Sequence, residues 1–213
     1  MDKKNTMLLT VIAVATLLVA VVGATFAYFT ASNTASGTTT ATVTTEAVGA
    51  VTVAPVDTEL HLNLTAAQMA VDAATNSYWA VTDDEAKFSA TQVDATVAQM
   101  DVSGVAGTTY DCEFTLAVDK NAIFKSGDAS VVFTLGSGVS MAGVTSETPI
   151  DYTQLAATYK VEFEQNGPVT DKDLVKVALQ VHNTDNEAGQ NYLLGQDLST
   201  TFRYADTLNC VVK

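Results

Sequence analysis

Hydrophobic positions follow two different patterns along the chain. From Met7 to Phe29 the sequence reads MLLTVIAVATLLVAVVGATFAYF, with no charged residue. Further on, apolar residues recur at every second position. Leu60, Leu62 and Leu64 share one phase. Tyr110, Cys112, Phe114, Leu116 and Val118 alternate with Asp111, Glu113, Thr115 and Ala117. The same period runs through Tyr159, Val161 and Phe163, through Val175, Val177, Leu179 and Val181, and through Phe202, Tyr204, Leu208, Cys210 and Val212. Val131 to Leu135 is a short apolar run. Period two gives a strand one buried face and one wet face. Turn-forming residues separate the runs at Ser126-Gly127-Asp128, at Asn166-Gly167-Pro168 and from Asn183 to Gly189. One helix start stands out. Thr65 and Gln68 have capping-box spacing, and the apolar residues behind them predict a short helix ending near Asn76. Many strands, short turns and one helix predict an all-β domain, an antiparallel β-sandwich or jelly roll.

The uncharged amino-terminal stretch adds a second element. Lys3 and Lys4 form a basic head, an apolar body follows, and Gly23, Ala24, Thr25 and Ala27 are small. This is the order of a secretory signal peptide, with Thr25 and Ala27 at the small-residue positions and Tyr28 first after cleavage. The stretch is also long enough to span about 30 Å of hydrocarbon as a membrane anchor. Either reading places the residues after it outside the cytoplasm. Residues 1–27 are then a signal peptide or anchor, residues 28–56 an extended Thr-rich arm, and residues 57–213 the sandwich. The arm carries no charge before Glu46. Its composition suits a flexible linker, but its Thr and Val favour extended backbone, so Thr38 to Val53 can become a strand where a sheet edge accepts it.

Composition narrows the function. The 213 residues include 10 Lys plus Arg and 24 Asp plus Glu, a net charge of -14. Phosphate backbones and anionic lipid surfaces both require clustered cations, so nucleic acid and electrostatic membrane docking are excluded. Membrane contact is left to residues 7–29, if they are retained. Apolar residues make up 47% and charged ones 16%, too apolar for a disordered acidic tail. Loss of residues 1–27 takes Asp2, Lys3 and Lys4 with it, which makes the mature chain slightly more acidic. Asp111, Glu113, Glu162 and Glu164 fall on outward strand positions, where they solvate the sheet and oppose edge pairing.

Candidate chemistry is sparse. Cys112 and Cys210 are the only cysteines, and each lies on the apolar phase of its strand. Outside the cytoplasm they are candidates for a disulfide, and otherwise for two buried thiols. His61 and His182 fall on polar phases, which predicts solvated rings. No HExxH, GxSxG, Walker or GxGxxG motif is present, and nothing selects a nucleophilic serine, so the chain reads as non-catalytic. No cofactor is expected. Calcium is the one ion with suitable donors, in Asp83-Asp84-Glu85 and in Asn183 to Glu187, where Asp185 and Glu187 are weak candidates. The second cluster departs from a calcium loop, because Gly189 comes one place late and Leu194 replaces the terminal Glu. Asn63-Leu64-Thr65 fits a glycosylation sequon. Tyr78 and Trp79 are adjacent, so in a strand one points to the core and the other outward, towards a partner or sugar or beneath a loop.

The run LLVAVVGATFAYFTAS, residues 17–32, resembles the signal-peptide class cleaved by a dedicated SipW-type peptidase in Gram-positive bacteria. There an apolar run ends in Gly, a small residue, Thr, an aromatic, Ala, an aromatic and Phe. Here these are Gly23, Ala24, Thr25, Phe26, Ala27, Tyr28 and Phe29. In this the chain resembles the TasA/camelysin family of biofilm-matrix fibre proteins. The resemblance implies an extracellular jelly-roll subunit that polymerises, lending its mature amino-terminal segment as a strand to its neighbour. The assembly arm would run from Phe29 through Thr38 and Val43 to Val51 and Val53. The function expected is a secreted, non-catalytic subunit of a fibre, biofilm matrix or surface layer. The alternative is a membrane-anchored cell-surface domain that binds a protein or glycan partner.

Overall fold

The computed structural model describes residues 39–42, 50–57, 59–64, 77–83, 85–120, 123–183, 188–193 and 200–213. The expected amino-terminal signal or anchor and the expected helix from Thr65 to Asn76 lie outside these residues. In chain order the described strands are β1 (Thr39–Thr42), β2 (Ala50–Ala54), β3 (Glu59–Leu60), β4 (Ser77–Trp79), β5 (Ala95–Ser103), β6 (Thr109–Asp119), β7 (Ala129–Leu135), β8 (Val139–Met141), β9 (Pro149–Asp151), β10 (Thr158–Asn166), β11 (Val169–His182) and β12 (Thr200–Val212). Short 3-10 turns at Tyr152–Gln154 and Ala188–Leu193 are the only helical elements among the described residues. The fold is all-β.

The strands form two sheets. The larger runs β1-β2-β5-β11-β7-β9, with β4 paired to the far end of β11, and the smaller runs β3-β12-β6-β10-β8. Neighbours pair antiparallel throughout. The inner faces of both sheets share one core. Phe133 of β7 meets Tyr159 of β10 edge-on at 5.4 Å and Phe202 of β12 at 6.0 Å, so one ring links the two sheets. Edge-to-face aromatic pairs of this kind add to the burial of their apolar area.

The runs in β6, β10 and β11 are strands with the expected face inward, whereas the run in β12 is broken by a register shift between Ala205 and Asn209 and ends with Val212 exposed. In β6, Tyr110, Cys112, Phe114, Leu116 and Val118 are buried. Val175, Val177, Leu179 and Val181 of β11 are fully buried, as are Leu62 and Leu64. Strand β5 has no clean period because Val97 and Ala98 are both buried. Its pairing with β11 shifts register between Val169 and Lys172 and again between Asp173 and Lys176. Such bulges rotate the strand and break the period. A close approach accompanies them, since a Cβ on Gly136 would lie 2.2 Å from the Asp173 carbonyl oxygen.

The boundary of the arm moves. Strands β1 and β2 pair antiparallel on the chain's own sheet, and β2 pairs with β5 from Ala50 to Ala54. Val51 and Val53 are fully buried, so residues 50–56 belong to the sandwich and not to a free arm. Among the described residues, the sole hydrogen-bonded partner of β1 is β2. Phe29, Thr38 and Val43 lie outside the described residues.

Candidate functional site

Because the odd positions of β11 from Val175 to Val181 point inward, Lys176, Ala178, Gln180 and His182 share the outer face of the larger sheet. Register brings partners beside them. Gln180 sits opposite Trp79 on one side and Ser130 on the other. Ala178 faces Val132, which in turn faces Pro149. Here the face carries a groove of about 500 Å³, lined by Trp79, Gln180, Val132, Thr134 and Pro149, with Gln92, Asp94 and Glu147 completing it. The tyrosine–tryptophan pair divides as alternation requires. Tyr78 packs edge-on against Phe88 at 5.1 Å, beside the core, and Trp79 lines the groove.

Neighbouring backbone fixes the groove's polar groups. The Trp79 N–H donates to the Ser89 carbonyl and the Ser89 N–H to the Trp79 carbonyl, both at 2.8 Å. This ties the loop that carries Gln92 and Asp94 to β4. The Gln92 amide donates to Asp94 Oδ1 at 2.7 Å. Glu147 adopts φ +62°, a left-handed conformation uncommon for a residue with a side chain, and its N–H donates to the Phe133 carbonyl at 2.8 Å. Ser146 Oγ accepts from the Leu135 N–H at 3.0 Å and anchors the same loop.

At the end of β11 the outer face holds a polar network around His182. Its Nε2 is 2.9 Å from Ser130 Oγ and its Nδ1 3.1 Å from Ser77 Oγ. The ring is half-buried, so the expectation of a solvated His182 is corrected. Burial holds its pKa below the ordinary imidazole value, against the opposing charges of Asp151 and Asp128. His61 also departs from that expectation, with 16% of its side chain exposed. Its backbone bridges to Val81. Asp128 is buried and accepts from the Lys125 N–H, the Gln190 amide at 2.7 Å and the Tyr192 hydroxyl. Burial first, and then this bond, push the Tyr192 phenol well above its usual range. Asp151 accepts from Gly127, Ser126 and Thr153. These bonds, the Thr153 hydroxyl first, lower its pKa to about 2. Ser130–His182 has the spacing of a nucleophile and base, but Nδ1 meets a hydroxyl where a triad places a carboxylate.

The smaller sheet carries the acidic positions. Glu113 lies directly opposite Glu162, and Asp111 opposite Glu164. Like charges facing across strands repel. Lys160 sits 2.6 Å from Glu113 and 2.9 Å from Glu162, and Lys213 joins Glu164 and Asp111. The Lys160 hydrogen bond lowers the Glu113 pKa, and those carboxylates raise that of Lys160. A groove of about 420 Å³ runs along these residues. Beside it, Cys112 and Cys210 are cross-strand partners joined by a disulfide, with Cα atoms 4.1 Å apart.

The remaining sequence candidates take ordinary places or fall outside. Asp83 Oδ1 accepts from the Glu85 N–H in a turn. Asn63 is partly buried and donates its N–H to the Lys87 carbonyl. Asp185, Glu187, Thr25, Ala27 and Tyr28 lie outside the described residues. No three His, Cys, Asp or Glu residues converge as metal ligands among the described residues. Nor is any described helix long and apolar enough to cross a membrane. Sequence reasoning found Trp79 but missed Gln92, Asp94, Glu147 and Gln180, which no local motif connects; only strand register brings them together. No family model matches the chain, and no curated protein or solved structure matches it.

Proposed function

We propose that the protein is a secreted, non-catalytic structural subunit of an extracellular fibre, biofilm matrix or surface layer. In this reading the sandwich is a jelly roll that assembles by strand donation into a homopolymer on the surface of a Gram-positive-type bacterium. The observation that carries it is β1. It is a four-residue, uncharged strand at the edge of the larger sheet, hydrogen-bonded to β2 alone among the described strands, and it directly follows the uncharged amino-terminal segment. A peripheral strand of this kind can leave its own sheet for an equivalent edge, because main-chain hydrogen bonds are recovered on the new sheet. A head-to-tail exchange that does not close produces a filament.

Further support comes from the disulfide, which suits an oxidising compartment. The hydroxyl partner on His182 Nδ1 and the burial of Ser130 favour a structural role for that network. Deletion of residues 28–42 from the secreted protein should leave a folded monomer and abolish filaments. Filaments of normal length from that variant would refute strand donation. The uncharged stretch from Met7 to Phe29 favours a second reading, a membrane-anchored cell-surface domain. Intact mass decides between them: loss of about 27 residues indicates release, and a retained amino terminus indicates anchoring.

A further inference from the structure

We propose that the Trp79 groove binds an uncharged polysaccharide chain, with the Trp79 ring as the stacking surface. Binding at this groove is independent of polymerisation. At about 500 Å³ the groove falls within the size range of small-molecule sites. Its apolar part is Trp79 with Val132 and Pro149, and its polar part consists of side-chain amides and carboxylates. A pyranose presents the same division: C–H groups on the ring faces and hydroxyls around the edge. Each hydroxyl both donates and accepts, so Gln92 and Gln180 can serve either role, and Asp94 and Glu147 accept.

Charge selects among ligands. Two carboxylates and no cation line the groove, so an anionic chain of uronates or phosphodiesters is repelled. A small organic cation is also disfavoured. Lys176 sits opposite Thr134 of the groove wall on the same outer face, so a protein ammonium already stands beside this negative charge. An uncharged sugar meets neither obstacle. The groups are also held before any ligand arrives. Trp79 is strapped to Ser89 by two backbone bonds, Gln92 is bonded to Asp94, and Glu147 is held in its left-handed conformation by the Phe133 carbonyl. Among the described residues the Trp79 indole N–H has no acceptor, leaving one donor available beside the stacking face. Preorganisation reduces the entropy lost on binding.

Trp79 is the only tryptophan in the chain, so intrinsic fluorescence reports on this groove alone. The full secreted protein is titrated with cellohexaose, maltohexaose, mannohexaose and chitohexaose, and separately with polygalacturonate and choline, each to about 10 mM, beyond which binding is too weak to be specific. The expected result is a saturable change in Trp79 emission with at least one neutral oligosaccharide and none with polygalacturonate or choline. Calorimetry with that oligosaccharide should show roughly tenfold weaker binding for Trp79→Ala, the loss of one aromatic stack. Gln180→Ala and Glu147→Gln, which keep the fluorophore, should weaken it several-fold and so carry the test if Trp79→Ala does not fold. Silence towards all four neutral chains, an equal response to choline or polygalacturonate, or unchanged binding in the groove variants that fold would overturn the assignment. None of these results bears on whether filaments form.

Discussion

Reducing the Cys112–Cys210 bond should cost the fold a large share of its stability without changing its shape. The bond closes a loop with a sequence separation of 98. Chain-entropy reasoning gives about 4.7 kcal/mol for a loop of that size, acting on the unfolded state. The native side of the balance changes little. Cys112 is 5% exposed and sits among apolar neighbours, where a free thiol packs as a small hydrophobe. The strands around it remain paired, from Tyr110 to Glu113 on β6 and from Asn209 to Val212 on β12. With a urea slope of about 3 kcal/mol per M, the midpoint should fall by roughly 1.5 M on reduction. The assay is urea unfolding, followed by far-ultraviolet circular dichroism and by Trp79 emission, with and without dithiothreitol. The Cys112→Ala/Cys210→Ala variant provides a route without reductant and should agree within about 1 kcal/mol. Oxidised and reduced midpoints that coincide within about 0.2 M would refute the reasoning, because the loop-closure contribution would then be absent.

Other perturbations test separate parts of the account. Gly136→Ala should destabilise by more than about 2 kcal/mol in the same urea assay, because the new Cβ meets the Asp173 carbonyl and only movement of β11 relieves the clash. Burial keeps the folded His182 pKa depressed, so its contribution is complete above about pH 6.5 and is lost as the pH falls below that value. His182→Gln should therefore flatten the stability profile between pH 7 and 5. Asp151 has its pKa lowered to about 2, so its contribution is present above the ordinary carboxylate value of about 4 and is lost between there and about pH 2; Asp151→Asn should remove that lower limb. Lys160→Gln should lower the thermal midpoint at low salt, by leaving Glu113 and Glu162 opposed, and the difference from the parent should shrink in 1 M NaCl.

Where one face of a strand is buried and the other wet, the sequence was readable. In β6, Tyr110 to Val118 alternate without interruption, and the acidic residues between them mark the solvent side. The positions of Cys112 and Cys210 on apolar phases likewise made them a candidate pair. Strand β5 was illegible because its bulges against β11 place Val97 and Ala98 inside together, so period two fails even though the strand is central. The histidines misled for a related reason. His182 lies on the polar phase, but that face is covered locally by Ser77, Ser130 and the loop holding Asp128, so outward did not mean solvated. The Val51 and Val53 pair followed the strand option left open for the arm, in cis. The Trp79 groove depends on register among β4, β7, β9 and β11, which is set by contacts distant in sequence, and no spacing along the chain encodes it.

Strand donation is the central claim, and it requires β1 to leave its own sheet. Thr40 and Thr52 are cross-strand partners in the β1–β2 pair, so a Thr40→Cys/Thr52→Cys variant can lock β1 at home. The measurement is negative-stain electron microscopy of the secreted, oxidised double variant beside each single variant, with the mature amino terminus sequenced. The account predicts filaments from both single variants, each beginning at Tyr28, and only monomers from the locked protein. Filaments of equal length and number from the locked protein would contradict it.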